Sequence, residues 1–574
     1  MSFGISPSVS VREVDLSQVI PAVAGTSATF ALQSNWGPAK LATLATNELE
    51  LRTLFGKPTD ETTGVDFLLA ADYLAFSNSL FLSRIVGTGA LNGVSPITGS
   101  AAASVTVFNE DLFVATTIPA TDHLIARFPG AVGNGLRVLM VDSAAGFNSV
   151  GFAPYRGLFT APPGTSEYAL ARGSSLDEIH VVVLDTLGFF TDTPGAVLES
   201  YGFLSKGLDA KATDGTSIYY RDVINMRSDY FYVGNPDTAA AGLGNETGIT
   251  VAAAGASFTA STNVTTPITY NFTLGANGTV ADADKQTAYD IFLNTNSIDS
   301  PLMIAGTAEQ TLTSYLVQSI AEVRKDLVVL CSVPRALVVN QTNGSTIATS
   351  IKTYRETTLG ISSSYGFLDD NWKYTYDRYN DTYRWIPCNA NVAGICSRTD
   401  VENDPWFSPA GFNRGILKRV VRLAWSSNEA QRDLIYPVGV NSIANFPGIG
   451  PVLYGDRTLL RRETSFSRIN VRRLFIVCEK LVAIAANYTL FELNNEITRD
   501  NFVGLVEPFL REIQGRQGII DFRVVADTTL NTPQVIDSNQ FKANIFLKPS
   551  RSINYIQLTF FATPSGFSFS EVGG

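Results

Sequence analysis

The chain has 574 residues, 45% of them hydrophobic and 17% charged. That is too long for one ordinary core, so three or four domains are expected, and the charge content falls below the roughly one quarter of an average soluble protein, which favours β-rich domains burying surface against one another over a solitary soluble enzyme. The net charge of −11 is unevenly spread: residues 411–574 carry 19 Lys and Arg against 14 Asp and Glu, residues 1–410 carry 23 against 39, and a basic C-terminal part points to an acidic partner for that part.

Residues 5–14 alternate around Val9 and Val11 after Pro7, an extended segment with no hairpin partner nearby, and 15–25 read as a linker. A strand is predicted over 26–33, stopped by Trp36-Gly37-Pro38. Asn47 is placed to cap a helix, with Glu50 completing a capping box and Gly56-Lys57-Pro58 ending it. A helix over 65–76 and a strand over 80–86 complete an α/β opening.

From residue 97 the texture changes. Residues 97–205 hold short β-like runs (Ile179, Val181 and Val183 in one of them) between Pro and Gly breaks, and 238–300 are richer still in Ala, Gly, Thr and Asn; both read as β insertions or loop-rich surface modules. Helices over 313–325 and 345–358 flank a buried strand at 327–331, and a helix over 428–434 ends before Tyr436-Pro437. Residues 385–416 crowd Gly, Pro and Asn beside Trp385, Trp406 and Phe407, the composition of a tightly turned connector between domains.

Near the C-terminus, Leu474, Cys478, Leu481, Ala485 and Tyr488 recur at helical spacing. Thr498 is predicted to cap a second helix with Phe502, Val506, Phe509 and Ile513 on one face, and Pro508 inside it predicts a kink or a late start. Strands over 519–526, 541–547 and 553–562 then make a small α+β domain with a free sheet edge. Beyond a Pro-Ser-Gly break, Phe567 and Phe569 alternate in a detached tail, and a strand with no partner in its own domain invites one in another subunit.

Residues that carry chemistry are scarce. The two histidines, His123 and His180, sit in the β-rich insertion without a nucleophile or carboxylate beside them in sequence, and read as structural. Cys331, Cys388, Cys396 and Cys478 show no metal-ligand spacing and read as reduced, buried thiols of a cytosolic product. There is no phosphate-binding loop, and Asp369-Asp370 read as solvated turn residues. Arg461-Arg462 and Arg472-Arg473 are weak signals for nucleic acid on an acidic chain. No apolar run approaches the ~20 residues of a membrane span, and residues 1–20 show no signal-peptide pattern. No catalytic residue, cofactor, metal, nucleic acid or membrane insertion is therefore assigned, and the chain is read as a non-enzyme.

Several motifs together resemble the contractile tail sheath proteins of long-tailed bacteriophages: Trp385-Ile386-Pro387, Arg398-Thr399-Asp400, Pro405-Trp406 and Ser408-Pro409-Ala410-Gly411 in one segment, Phe128-Pro129-Gly130 with Gly133-Asn134 in the insertion, Tyr454-Gly455-Asp456-Arg457, and Leu54-Phe55-Gly56-Lys57-Pro58. The resemblance implies an α+β multidomain fold: an N-terminal arm (1–21), a discontinuous middle α/β domain (22–96 with 206–365), an inserted β-rich outer domain (97–205), a C-terminal sheath core (366–564) and a C-terminal arm (565–574). It further implies stacked hexameric rings around a tail tube protein, contraction that drives the tube through the host envelope, baseplate and tail terminator partners, assembly in the host cytoplasm and residence in the virion. The arms, through Val9, Val11, Phe567 and Phe569, would add strands to neighbouring subunits, and Arg511 and Arg516 are the candidate tube-facing cations. A bacteriocin or injection-system sheath is the near alternative, and a β-rich carbohydrate-binding surface protein the distant one.

Overall fold

The computed structural model describes residues 26–261, 266–554 and 557. Both predicted arms, with Val9, Val11, Phe567 and Phe569, lie outside the described residues, as does most of the strand predicted at 553–562.

The centre is an eight-stranded sheet in the order Gly450–Tyr454, Val440–Phe446, Gly366–Asp369, Val328–Ser332, Leu302–Ile304, Ala28–Gln33, Leu80–Ile85, Thr43–Ala45. The five inner pairings are parallel and the two outermost antiparallel. Parallel strands need crossovers and cover on both faces. The alternation shows this residue by residue: Ala28, Phe30 and Leu32 enter one core and Ala31 the other, as do Val328 and Leu330 against Val329 and Cys331. Helices Glu61–Leu74 and Asn389–Glu402 cover the first face, Asp282–Asp290 and Gly344–Thr353 the second.

Asn47 caps helix Glu48–Phe55, accepting the Glu50 N–H at 2.9 Å. Glu50 reaches back to the N–H of Thr46 (2.8 Å) and not to that of Asn47, so the second half of the expected box is displaced by one residue.

Two expectations for the middle of the chain are corrected. The connector predicted at 385–416 is half helix: Asn389–Glu402 is buried along most of its length, and Gly394 lets it lie so close to helix Glu61–Leu74 that a β-carbon there would collide with the Phe76 ring. Close packing outweighs the helix propensity that Gly and Asn lack. Asp369 and Asp370 are fully buried, not solvated. Asp369 accepts from the Ser332 hydroxyl (2.8 Å), and Asp370 from the Ile443 N–H (2.8 Å) and the Ser442 hydroxyl (2.9 Å), so the pair ties three adjacent strands at their ends.

The β-rich insertion does not stop at residue 205. One sheet orders Asn92–Pro96, Asp122–Pro129, Phe231–Val233, and another Ile268–Asn271, Leu136–Val141, Glu178–Asp185, Ala196–Ser205. One core, including Leu124, Val138, Val181, Phe231 and Tyr270, joins them. The span 206–279, assigned by sequence to the middle domain, thus supplies strands to the insertion, which leaves and rejoins the α/β body side by side at the Thr88–Thr279 bridge. Arg84 fastens this junction from within, donating to the carbonyls of Ser34 (3.0 Å), Gly37 (2.9 Å) and Pro129 (2.7 Å).

At the C-terminus, helices Ile469–Asn487 and Glu496–Gly515 pack on the antiparallel pair Ile519–Val525 and Asn544–Pro549, with Leu474, Cys478, Phe502, Val506, Leu510 and Ile513 at the core. Asn495, not Thr498, caps the second helix, accepting the Thr498 N–H at 2.9 Å. The helix runs through Pro508 from a start twelve residues earlier at Glu496, so the late start does not occur.

Candidate assembly interface

The C-terminal unit presents an incomplete sheet. Ile519–Val525 and Asn544–Pro549 pair only with each other, and neither outer edge meets a third strand among the described residues. A two-stranded sheet is marginal by itself and gains from any strand added along its unpaired N–H and C=O groups.

Buried charge couples this unit to the body. Arg473, on helix Ile469–Asn487, pairs with Asp400 on helix Asn389–Glu402, and both side chains are almost wholly buried. Thr26 donates its hydroxyl to the same carboxylate, while the Thr26 carbonyl accepts from Tyr73 (3.0 Å) and Ser397 (3.3 Å). The first described residue of the chain is thereby pinned beside the C-terminal unit. Burial pushes the Asp400 carboxyl up against the pull of Arg473.

The other end of the described chain is held at Asp456. This carboxylate accepts from Arg468 (2.8 Å), the Tyr436 hydroxyl (3.1 Å) and the Ser552 hydroxyl (2.7 Å), and the Asn554 amide lies 2.7 Å from the Tyr436 hydroxyl. Residues 550–554 so line a cleft of about 690 Å³ between body and C-terminal unit, together with Trp406, Arg414, Arg432 and Tyr454.

The predicted tube-facing arginines differ in kind. Arg511 is exposed on the second helix and pairs with Glu507 four residues earlier, at 3.1 Å. Arg516 is also half exposed but held by several partners: its guanidinium pairs with Asp404, lies 3.6 Å from Glu512 and sits 5.6 Å over the Trp406 ring, and its carbonyl accepts the Trp406 indole N–H at 3.0 Å. Of the basic pairs, Arg472 and Arg473 are buried, Arg472 against the rings of Tyr365 and Phe466. Exposed cations without an ion pair among the described residues include Arg523, Lys548 and Arg551. Sequence reasoning missed Arg523 and Lys548 because their outward direction follows from the pairing register, in which Arg523 stands opposite Phe546 and Asp521 opposite Lys548.

Both histidines are buried in the insertion. His180 accepts the Phe203 N–H at Nδ1 (3.1 Å), so its Nε2–H donates to the Ala161 carbonyl (2.8 Å), and its ring stacks on Phe159 at 4.3 Å. His123 meets the Asn235 carbonyl through Nδ1 and packs beside Tyr270. Burial holds both imidazoles below their ordinary value of 6.5. The unfolded chain then takes up protons that the folded imidazoles refuse, so the histidine contribution to the insertion's stability is lost as pH falls below about 6.5, opposed by Asp122, Glu178 and Glu199, whose carboxyls burial raises. Asp66 and Asp370 behave oppositely: burial raises each from 3.8 to about 7, so the α/β core gains stability as pH falls from about 7 toward 4. As pH falls from 7.5 to 5.5, hydrogen exchange corrected for intrinsic rates is expected to slow in Val328–Ser332 and Val440–Phe446, which the raised Asp66 and Asp370 stabilise, and not to slow equally in Leu136–Val141 and Glu178–Asp185, where histidine and carboxyl shifts oppose each other. A uniform response in all four strands would contradict this.

Sequence profiles of two domains match the chain: the phage tail sheath protein central domain over residues 301–459 and the phage tail sheath C-terminal domain over 462–563. The tail sheath protein of Vibrio phage KVP40 is 31% identical, the match covering 99% of this chain and 100% of that one. The tail sheath protein of Enterobacteria phage T4 is 30% identical, covering 99% of each. Among solved structures, the sheath tail protein of Listeria innocua superposes with a TM-score of 0.53 at 10% identity, over 92% of this chain and 96% of that one, and that of Desulfitobacterium hafniense with 0.50 at 12%, over 95% and 100%. At such identities these two speak for the fold alone.

Proposed function

The chain belongs to the phage tail sheath family, and from that premise we propose that it polymerises as stacked six-membered rings around a tail tube, with contraction of the rings driving the tube through the host envelope. It is a structural subunit of a contractile tail sheath and a component of the virion. The observation that carries the polymerisation is the two-stranded C-terminal sheet with both outer edges unfilled among the described residues.

Strands supplied by neighbours around Val9 and Val11, and around Phe567 and Phe569, would complete that sheet and place alternate side chains in pockets between subunits. Such tethers hold subunits together while the domain contacts rearrange. The free energy of contraction would reside in the lattice itself, the extended form being kinetically trapped. Arg511, exposed beyond its one surface pair, remains the candidate tube-facing cation, whereas Arg516 is engaged by Trp406 and Asp404. Baseplate and terminator proteins would bound the lattice at its two ends, and assembly would take place in the host cytoplasm. That the full-length relatives are phage proteins favours a virion tail over a bacteriocin or injection-system sheath.

Electron microscopy of the purified chain, alone and with tail tubes, tests this reading. Rings, or helical particles that enclose the tubes, are expected; a monodisperse monomer under every condition would sink it.

A further inference from the structure

Resting on the sheath reading, we propose that the loop joining the two C-terminal helices, residues 488–495, with Glu496 and Ile497 of the helical turn that follows, docks on the outer face of the strand pair of a second copy of this chain. The loop ends in an apolar tip. Phe491 is fully exposed at 104%, Leu493 is 77% exposed, and Tyr488, Leu490 and Ile497 are more than half exposed. A contiguous apolar patch of this kind on a soluble chain marks a contact site.

The tip is also held in place. Phe491 adopts φ +68°, a left-handed conformation that a bulky residue rarely takes, so backbone strain accompanies its outward display. Beneath it, Asn494 donates to the Gln540 carbonyl at 2.8 Å and accepts from Arg499 at 3.1 Å. Leu493 accepts the Asn495 N–H at 2.8 Å, which closes the loop into the helix cap. A loop anchored this way loses little conformational entropy on docking.

The complementary surface lies on the same unit. The inner face of the strand pair, with Phe522, Val524, Ile545 and Leu547, packs in the helical core. The outer face carries Phe546 (57% exposed), the bulge residue Ile520 (55%), and the cations Arg523 and Lys548, with Asp521 opposite Lys548. Arg523 and Lys548 form no ion pair among the described residues. The segment 488–497 carries Glu492 and Glu496 and no cation, and neither glutamate is paired among the described residues. Apolar and acidic thus meets apolar and basic. This complementarity within one chain favours a second copy as the occupant.

One chain cannot satisfy both patches itself. The loop stands at the N-terminal end of helix Glu496–Gly515, which covers the inner face of the pair, while the docking face points the opposite way. Two unlike patches on one subunit form a heterologous contact, which propagates into rings or helices and does not stop at a dimer. This contact is independent of the arms and joins the C-terminal units directly.

The test uses the full chain in sedimentation velocity and electron microscopy. Phe491→Ser with Leu493→Ser removes side chains that touch solvent, so circular dichroism should be unchanged while the concentration needed for assembly rises at least tenfold. Glu492→Arg with Glu496→Arg, and separately Arg523→Glu with Lys548→Glu, should each weaken assembly, and the four changes together should restore it. If wild type assembles and the serine variant assembles equally well, the loop contact is wrong and the sheath reading stands. If the charge variants weaken assembly without mutual restoration, the strand pair is not the loop's partner. If wild type stays monomeric throughout, the sheath reading fails and takes this contact with it.

Discussion

Replacing Arg473 with alanine is expected to cost about 3–5 kcal/mol in the coupling of the C-terminal unit to the body, because it leaves Asp400 buried without its cation. The two residues stand on helices Ile469–Asn487 and Asn389–Glu402, so the loss falls between units and spares the interior of either. The variant should also acquire a pH signature. Asp400 already titrates high through burial, and without Arg473 its folded-state value rises further above that of the unfolded chain. The variant should therefore regain stability as pH falls from neutrality, when protonation removes the buried charge. Asp400→Asn strands Arg473 instead and should lack that acid recovery. Hydrogen exchange of the two helices, converted to opening free energies at pH 7.5 and 5.5, measures both effects. A cost below ~1 kcal/mol, the range of an exposed pair, would show that the pair is not the coupling.

Deleting residues 1–21, or separately 565–574, is expected to abolish assembly while the subunit stays folded. The buried clusters of the described chain draw on residues from Ala28 to Leu547, so neither deletion removes a member of them. What each removes is the proposed strand that fills an open edge. Each added backbone hydrogen bond contributes roughly 0.5–1.5 kcal/mol net, so a strand of four or five residues provides several kcal/mol per contact, repeated at every subunit of the lattice. Near-wild-type circular dichroism with no rings or tubes by electron microscopy is the expected pair of results. Rings formed by either truncated chain at the wild-type concentration would refute strand exchange through that arm.

Much of the framework is legible without coordinates because it depends on near neighbours. The Asn47 cap, the breaker Gly56-Lys57-Pro58, the short helix ending before Tyr436-Pro437 and the long apolar stripes of the two C-terminal helices are set within one or two turns of chain. The strand at Val328–Ser332 declares itself by an unbroken apolar run, as a strand buried on both faces must. The motif set around residues 385–411 marks the family by residue identity, although its conformation was misread.

What failed to show in sequence depends on contacts between distant residues. Helix Asn389–Glu402 reads as turn because its Gly and Asn residues are chosen for close approach to Phe76 and for the hydrogen bond from Asn389 to the Gly306 carbonyl (2.7 Å). Asp369 and Asp370 read as surface because nothing local reveals that Ser332, Ser442 and Ile443 will meet them. Arg516 reads as a free helix-end cation because Trp406 and Asp404 lie more than a hundred residues away. The insertion's true extent follows from Ile268–Asn271 pairing with Leu136–Val141 across some 130 residues. By itself, then, the sequence determined the strongly periodic helices, the Asn47 cap, the buried strand at Val328–Ser332 and the resemblance to the sheath family, since periodicity and capping act over a few residues. Tertiary structure alone decided which charges are buried, which cations remain outside, and which loop and strand face are left exposed for another copy, because burial is set by the whole chain folding around a side chain.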